Sequence, residues 1–184
     1  MRLFVALAVP DAVARAIMLI QGGVPGARWQ TREQLHLTLR FIGEVDERDA
    51  RAIDDALAGI DAPGFDLQLH GVGQFGGRQT KALWAAVRPN PALDHLQRKV
   101  DVAIRRVGQP QDAHKFTPHV TLARLRHPEP PKVLEWLTAH ALFTSSEFPV
   151  KAFQLYSSLL TSDGSIYRVE QDYPLRHFDG ETDD

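Results

Sequence analysis

Residues 35–44 read Leu35-His-Leu-Thr-Leu-Arg-Phe-Ile-Gly-Glu, and their reading sets the rest of the chain in order. Leu35 to Ile42 has the composition of a strand, and a strand sends successive side chains to opposite faces. His36 and Thr38 therefore share one face, while Leu37 and Leu39 share the other. The same tetrapeptide pattern, His-x-Thr-Leu, returns in Phe116-Thr-Pro-His-Val-Thr-Leu-Ala-Arg, where His119 and Thr121 share a face against Val120 and Leu122. With 8 His, 9 Thr and 21 Leu in 184 residues, composition alone predicts ~0.04 such tetrapeptides. A single histidine of this kind reads as an ordinary hydrogen-bonded strand residue. Two in matching frames read as a site.

The two histidines are 83 residues apart, and the same offset carries Thr38 onto Thr121, Leu39 onto Leu122, Phe65 onto Phe148 and Trp84 onto Tyr167. Each tetrapeptide precedes a helix and then two strands. Identity elsewhere is low, so coincidence among similar segments is the competing account. The ungapped offset favours an internal duplication, with lobes at about 29–87 and 112–174. Lobes so related commonly pack about a pseudo-twofold axis, which predicts a cleft receiving matching groups from both sides.

Outward from the motifs, residues 2–9 read as a buried strand and 11–21 as an amphipathic helix. A helix over 46–60 opens on Asp46, and strands follow at 65–69 and 81–87, separated by the glycines at 71, 73, 76 and 77. Residues 91–107 place Leu93, Leu96, Val100 and Ile104 on one helical face. A helix over 131–142 and strands over 148–160 and 165–173 complete the order. Strict βαβ alternation is absent, so the expected class is α+β: two pseudo-twofold-related lobes of antiparallel sheet with outer helices around a central cleft. Residues 1–178 form one bilobal domain, and 179–184 an acidic tail expected to be disordered.

Composition narrows the possibilities. Hydrophobic content of 43% and charged content of 24% suit a globular protein, and the absence of cysteine removes disulfides and thiolate metal sites. The apolar run behind Arg2 is cut by Pro10 and Asp11, which read as the start of a helix rather than the end of a signal peptide. No stretch approaches the ~20 apolar residues of a membrane span. A cytoplasmic location is expected, with no membrane and no protein partner evident. The net charge of −2 argues against a grip on long duplexes, so a nucleic-acid partner would be met over a few nucleotides.

Two histidines facing each other suit in-line displacement at phosphorus. One group must take a proton from the attacking water and another must give one to the leaving oxygen, on opposite sides of the phosphorus. Imidazole titrates near neutrality, and Thr38 and Thr121 can donate to the non-bridging oxygens. No metal or other cofactor is needed, and the remaining histidines show no metal-ligand spacing.

These residues resemble the two-histidine phosphoesterase superfamily. Within it the chain is most similar to the RNA 2′,3′-cyclic phosphodiesterases, also called 2′-5′ RNA ligases. The resemblance rests on Met1-Arg-Leu-Phe-Val-Ala-Leu and the two motif segments quoted above, and spans nearly the whole chain. It implies hydrolysis of a 2′,3′-cyclic phosphate at an RNA or oligonucleotide end to a 2′-phosphate. It further implies His36 as proton donor and His119 as proton acceptor. Ligation would be the reverse reaction. A protein that holds RNA ends without turnover, or a metallohydrolase ligated by both histidines, remain the alternatives.

Supporting residues follow from position. Arg40 continues the face of His36 and Thr38 and is a candidate substrate contact. Arg124 would face away in a regular strand unless the strand ends or bulges there. Phe41, Phe116 and Tyr156 are candidates to stack on a base, and Trp84 and Tyr167 read as core. Arg28, Arg32, Arg78, Lys81, Lys115 and Arg126 lie near the motifs and offer a local basic rim.

Overall fold

The computed structural model describes residues 1–177. The expected acidic tail, with the last residue of the expected domain, lies outside the described residues. Ten strands and four α-helices alternate irregularly in an α+β fold. In chain order they are β1 (Arg2–Ala8), α1 (Asp11–Leu19), β2 (Ala27–Trp29), β3 (His36–Glu44), α2 (Glu47–Ala58), β4 (Phe65–Leu67), β5 (Leu69–Phe75), β6 (Ala82–Val87), α3 (Pro91–Arg106), β7 (His119–Leu125), α4 (Pro130–Ala139), β8 (Phe148–Val150), β9 (Ala152–Thr161) and β10 (Gly164–Pro174). Local signals set the helix starts. The Asp46 carboxylate accepts from Asp49 N, and Asn90 caps α3 by accepting from Ala92 N and Leu93 N, with Pro91 in the first turn.

One antiparallel sheet runs β10-β9-β1-β3-β7-β6-β5, with β2 added beside β7, and β4 pairs with β8 in a small second sheet. The two halves of the large sheet meet at a single strand pair, Leu37 opposite Val120. The small sheet centres on Asp66 opposite Pro149. Both pairs join residues 83 positions apart, so a pseudo-twofold axis passes between their members. Beyond the motif strands the offset and the pairing part company. By pairing, β6 takes the place of β1, because Trp84 lies opposite Thr121 as Ala6 lies opposite Thr38. Trp84 is thus equivalent to Ala6 rather than to Tyr167, and β10 is an added edge strand.

All four helices pack on one face of the sheet. Ile17, Ile53, Leu57, Leu93, Leu96, Val100, Ile104, Val133 and Trp136 form one core with Leu3, Val5, Leu7, Leu37, Leu39, Leu83, Val120 and Leu122. Each fully buried aliphatic side chain there contributes about 1.5–3 kcal/mol. The opposite face carries a small cluster of Phe4, Ala6 and Tyr156 with Tyr167 against it, and is the cleft face on which both histidines stand.

Several elements depart from expectation: β2 is not among the expected strands, and the expected strand 65–69 is divided at Gln68 into β4 and β5. The expected single strand 148–160 is divided at Lys151 into β8 and β9. The first part of the glycine-rich stretch is a strand, β5, in which Gly71 has a positive φ of 82° and Gly73 has a packing reason. A Cβ on Gly73 would lie 2.3 Å from the Trp84 ring directly across the ladder, so the glycine makes room for the indole.

Candidate active site

Both histidines are held in the same way. His36 Nδ1 lies 2.7 Å from the Gln34 carbonyl, and His119 Nδ1 lies 2.6 Å from the Thr117 carbonyl. A carbonyl can only accept, so each Nδ1 carries a proton and each Nε2 is left for chemistry. The anchoring carbonyls sit two residues before each histidine and are themselves 83 residues apart. Sequence reasoning overlooked them, although the offset contains them.

The register that pairs Leu37 with Val120 sets His36 across from Thr121 and His119 across from Thr38. The two histidines are then diagonal neighbours, a relation that spans about 7–8 Å between strands. A phosphate fits between groups so spaced, with both threonines, half-buried on the same face, beside it.

The alternation expected along the motif strands breaks directly after the threonine in each. Ala6 pairs with Thr38 but Val5 pairs with Arg40, so Leu39 is an extra residue in β3. Trp84 pairs with Thr121 but Leu83 pairs with Ala123, so Leu122 is an extra residue in β7. Each is a β-bulge, which reverses the facing of the residues directly after it; in β3 a second extra residue, Ile42, follows Phe41. Arg40 is therefore no substrate contact. It turns to the helix side, is 5% exposed, and pairs with Asp101 at 2.9 Å while donating to the carbonyls of Phe41 and Pro110. The same reversal brings Phe41 and Arg124 onto the cleft face. Arg124 is exposed there, and Phe41 is 57% exposed.

The other stacking candidates divide. Phe116 lines a cavity of about 150 Å³ with Leu39, Gln97 and Asp101 on the helix side, and so offers no face to the cleft. Tyr156 is in the cleft wall, but its ring is stacked on Phe4 with centroids 5.1 Å apart. It supports His36, whose ring lies 4.8 Å from Phe4 and 5.0 Å from Tyr167. His119 has a corresponding wall of Phe75 at 4.9 Å and Trp84 at 6.0 Å. Trp84 and Tyr167, expected in the core, are site residues instead.

This setting lowers the proton affinity of both imidazoles. Burial pushes His36 from 6.5 down to about 4; the Gln34 carbonyl opposes the shift, while the charges of Arg124 and His119 add to it. Burial also lowers His119, opposed by the Thr117 carbonyl and assisted by Arg124. Both imidazoles are neutral at pH 7 in the free protein, and an anion placed between them would favour protonation. Among the described residues no group of three or more His, Asp or Glu is placed to hold a metal ion, and no helix is long and apolar enough to cross a membrane.

Residues 9–161 match the family model described as the 2′-5′ RNA ligase superfamily. The chain is 34% identical over 190 residues to an RNA 2′,3′-cyclic phosphodiesterase of Thermus thermophilus, covering 96% of this chain and 91% of that protein. It is 30% identical over 172 residues to one of Archaeoglobus fulgidus, covering 91% and 97%. Among solved structures, E. coli LigT complexed with 3′-AMP superposes with a TM-score of 0.76 at 26% identity, covering 95% of this chain and 97% of that one.

Proposed function

The chain belongs to the 2′-5′ RNA ligase superfamily, and from that premise we propose that it hydrolyses 2′,3′-cyclic phosphates at RNA or oligonucleotide ends by metal-independent acid–base catalysis. The observation that carries this reading is the pair of imidazoles, each with Nδ1 tied to a carbonyl and Nε2 left for the cleft, placed diagonally across one strand pair.

In the reaction, water attacks phosphorus and passes its proton to His119 Nε2. The bond from phosphorus to the 3′ oxygen breaks, and His36 Nε2 gives that oxygen its proton, leaving a 3′-hydroxyl and a 2′-phosphate. Thr38 and Thr121 donate to the non-bridging oxygens as the phosphorane develops. His36 must be protonated for this step although burial disfavours it. The anionic substrate supplies the compensating charge, so the donor gains its proton as substrate binds. The assignment of donor and acceptor is supported by the family resemblance. Burial taken alone favours His119 as the protonated partner, and this makes the roles worth testing. Phe41, exposed beside the phosphate seat, is placed to stack on a base.

The test is incubation with an oligonucleotide ending in a 2′,3′-cyclic phosphate, with the phosphate position in the product read by phosphorus NMR. A 2′-phosphate formed equally with and without chelator is the expected result. Tight binding without turnover would sink the enzyme reading in favour of an end-binding protein. Activity abolished by chelator would assign the histidines to a metal.

A further inference from the structure

Arg28 is one of six basic residues that the sequence places near the motifs, and the structure sets it apart. It lies in β2 with its Cα paired to that of Arg124 in β7. Directly opposed residues of an antiparallel pair point to the same face. Their neighbours show which face: Ala27 with Leu125 and Trp29 with Ala123 join the helix-side core. Both arginines therefore stand on the cleft face.

Like charges directly opposite each other destabilise a strand pair, and the protein does little to offset this one. Arg32, Arg40, Arg51, Arg105 and Arg176 each meet a carboxylate. Among the described residues no carboxylate pairs with Arg28 or Arg124. The Arg28 side chain crosses towards the β9–β10 turn, where Nη1 lies 3.7 Å from the place a Cβ on Gly164 would occupy, and Gln34 Nε2 lies 3.5 Å from the same point. Gln34 is the residue whose carbonyl holds His36 and whose amide donates to the Ser165 carbonyl at 2.9 Å. The unpaired guanidinium thus lies at the rim of the cleft on the His36 side.

The geometry points to a second anion seat, in which Arg28 and Arg124 hold the phosphodiester one nucleotide upstream of the reacting cyclic phosphate. This rests on the phosphodiesterase reading and gives it a substrate preference. His119, Thr121 and Arg124 follow one another along the cleft face, so Arg124 stands about 7 Å beyond Thr121, a step comparable with one nucleotide. Two adjacent guanidinium forks suit a phosphate, whose oxygens accept two donors at once. A cyclic mononucleotide has no group for this seat; an oligonucleotide end has one.

Three substrates test the seat: 2′,3′-cyclic AMP, an ApA dinucleotide ending in a 2′,3′-cyclic phosphate, and the same dinucleotide with an uncharged methylphosphonate linkage. The wild-type kcat/KM is expected to be about tenfold or more higher for the charged dinucleotide than for its uncharged twin, the size of one charge-assisted hydrogen bond. Arg28→Ala should bring that ratio close to one, and Arg28→Lys should restore part of it. A wild-type ratio near one overturns the seat, and needs no substitution to be seen. An undiminished ratio in Arg28→Ala and Arg28→Gln overturns the role of Arg28. Failure of all three substrates to turn over would overturn the reaction itself, and the seat with it.

Discussion

His36 stands among Phe4, Tyr156 and Tyr167, whereas His119 stands against Phe75 and Trp84. The backbone on the two sides is nearly the same: a carbonyl two residues back holds each ring, and a bulge follows one residue after each threonine. The side chains filling that backbone differ. Where the first half pairs Phe4 with Phe41 and Ala6 with Thr38, the second pairs Ala82 with Arg124 and Trp84 with Thr121. The large ring has moved by one pair, and a phenyl group has become a guanidinium. Pseudo-symmetry therefore preserves the placement of two imidazoles while their surroundings differ. The more desolvated His36 resists protonation more than His119, so a donor role for His36 depends on the charge of the bound anion.

The histidines themselves should give the largest effect when this comparison is broken. His36→Ala and His119→Ala are each expected to lower kcat on a cyclic substrate by about 10²–10⁴. A nucleotide ester with a nitrophenolate leaving group departs without a proton, so its hydrolysis should survive in His36→Ala and not in His119→Ala. The reverse outcome would exchange donor and acceptor, and full activity of either variant on the cyclic substrate would end the two-histidine mechanism.

Arg40 gives the next effect, in stability. Its equivalent by offset is Ala123, so Arg40→Ala makes the first half resemble the second. The Pro110 carbonyl would lose its donor and Asp101 would keep only Arg105, and losing hydrogen bonds to a charged group in this way costs about 3 kcal/mol. Urea unfolding measures it. A loss below about 1 kcal/mol, the scale of an exposed pair, would show that the tie is not needed.

The smallest effect sharpens the contrast between the two imidazoles. The unfolded chain takes up a proton at His36 near pH 6.5, whereas the folded protein resists until about 4. The unfolded state binds more protons in between, so His36 contributes stability above pH 6.5 that is lost as pH falls towards 4. The loss is on the order of 3 kcal/mol. His36→Asn should flatten the stability profile across that window more than His119→Asn does. Equal flattening would mean that the two sites are equally desolvated.

The alternation rule read His36, Thr38, His119 and Thr121 correctly, because each strand is regular up to the threonine. It failed at Arg40, which it placed in the cleft, and left Arg124 conditional on a bulge. The extra residues Leu39 and Leu122 are defined by how many residues the partner strand supplies, and β1 and β6 are remote in sequence. Phe116 and Tyr156 were legible as aromatic but not as facing, since Phe116 lies in a loop and Tyr156 gains its place only through Phe4. The glycines of β5 suggested a loop because the reason for Gly73, the Trp84 ring, lies in another strand.

The repeated tetrapeptide by itself determined which two histidines share a face with a threonine and the offset that relates the halves. Composition, periodicity and alternation are local properties, and they need only the neighbours in the chain. Tertiary structure decided which later residues share the histidines' face, which rings desolvate each imidazole, and which arginines remain unpaired beside the cleft. Those depend on strand register, bulges and burial, set by the free energy of packing helices against one face of the sheet and leaving the other open.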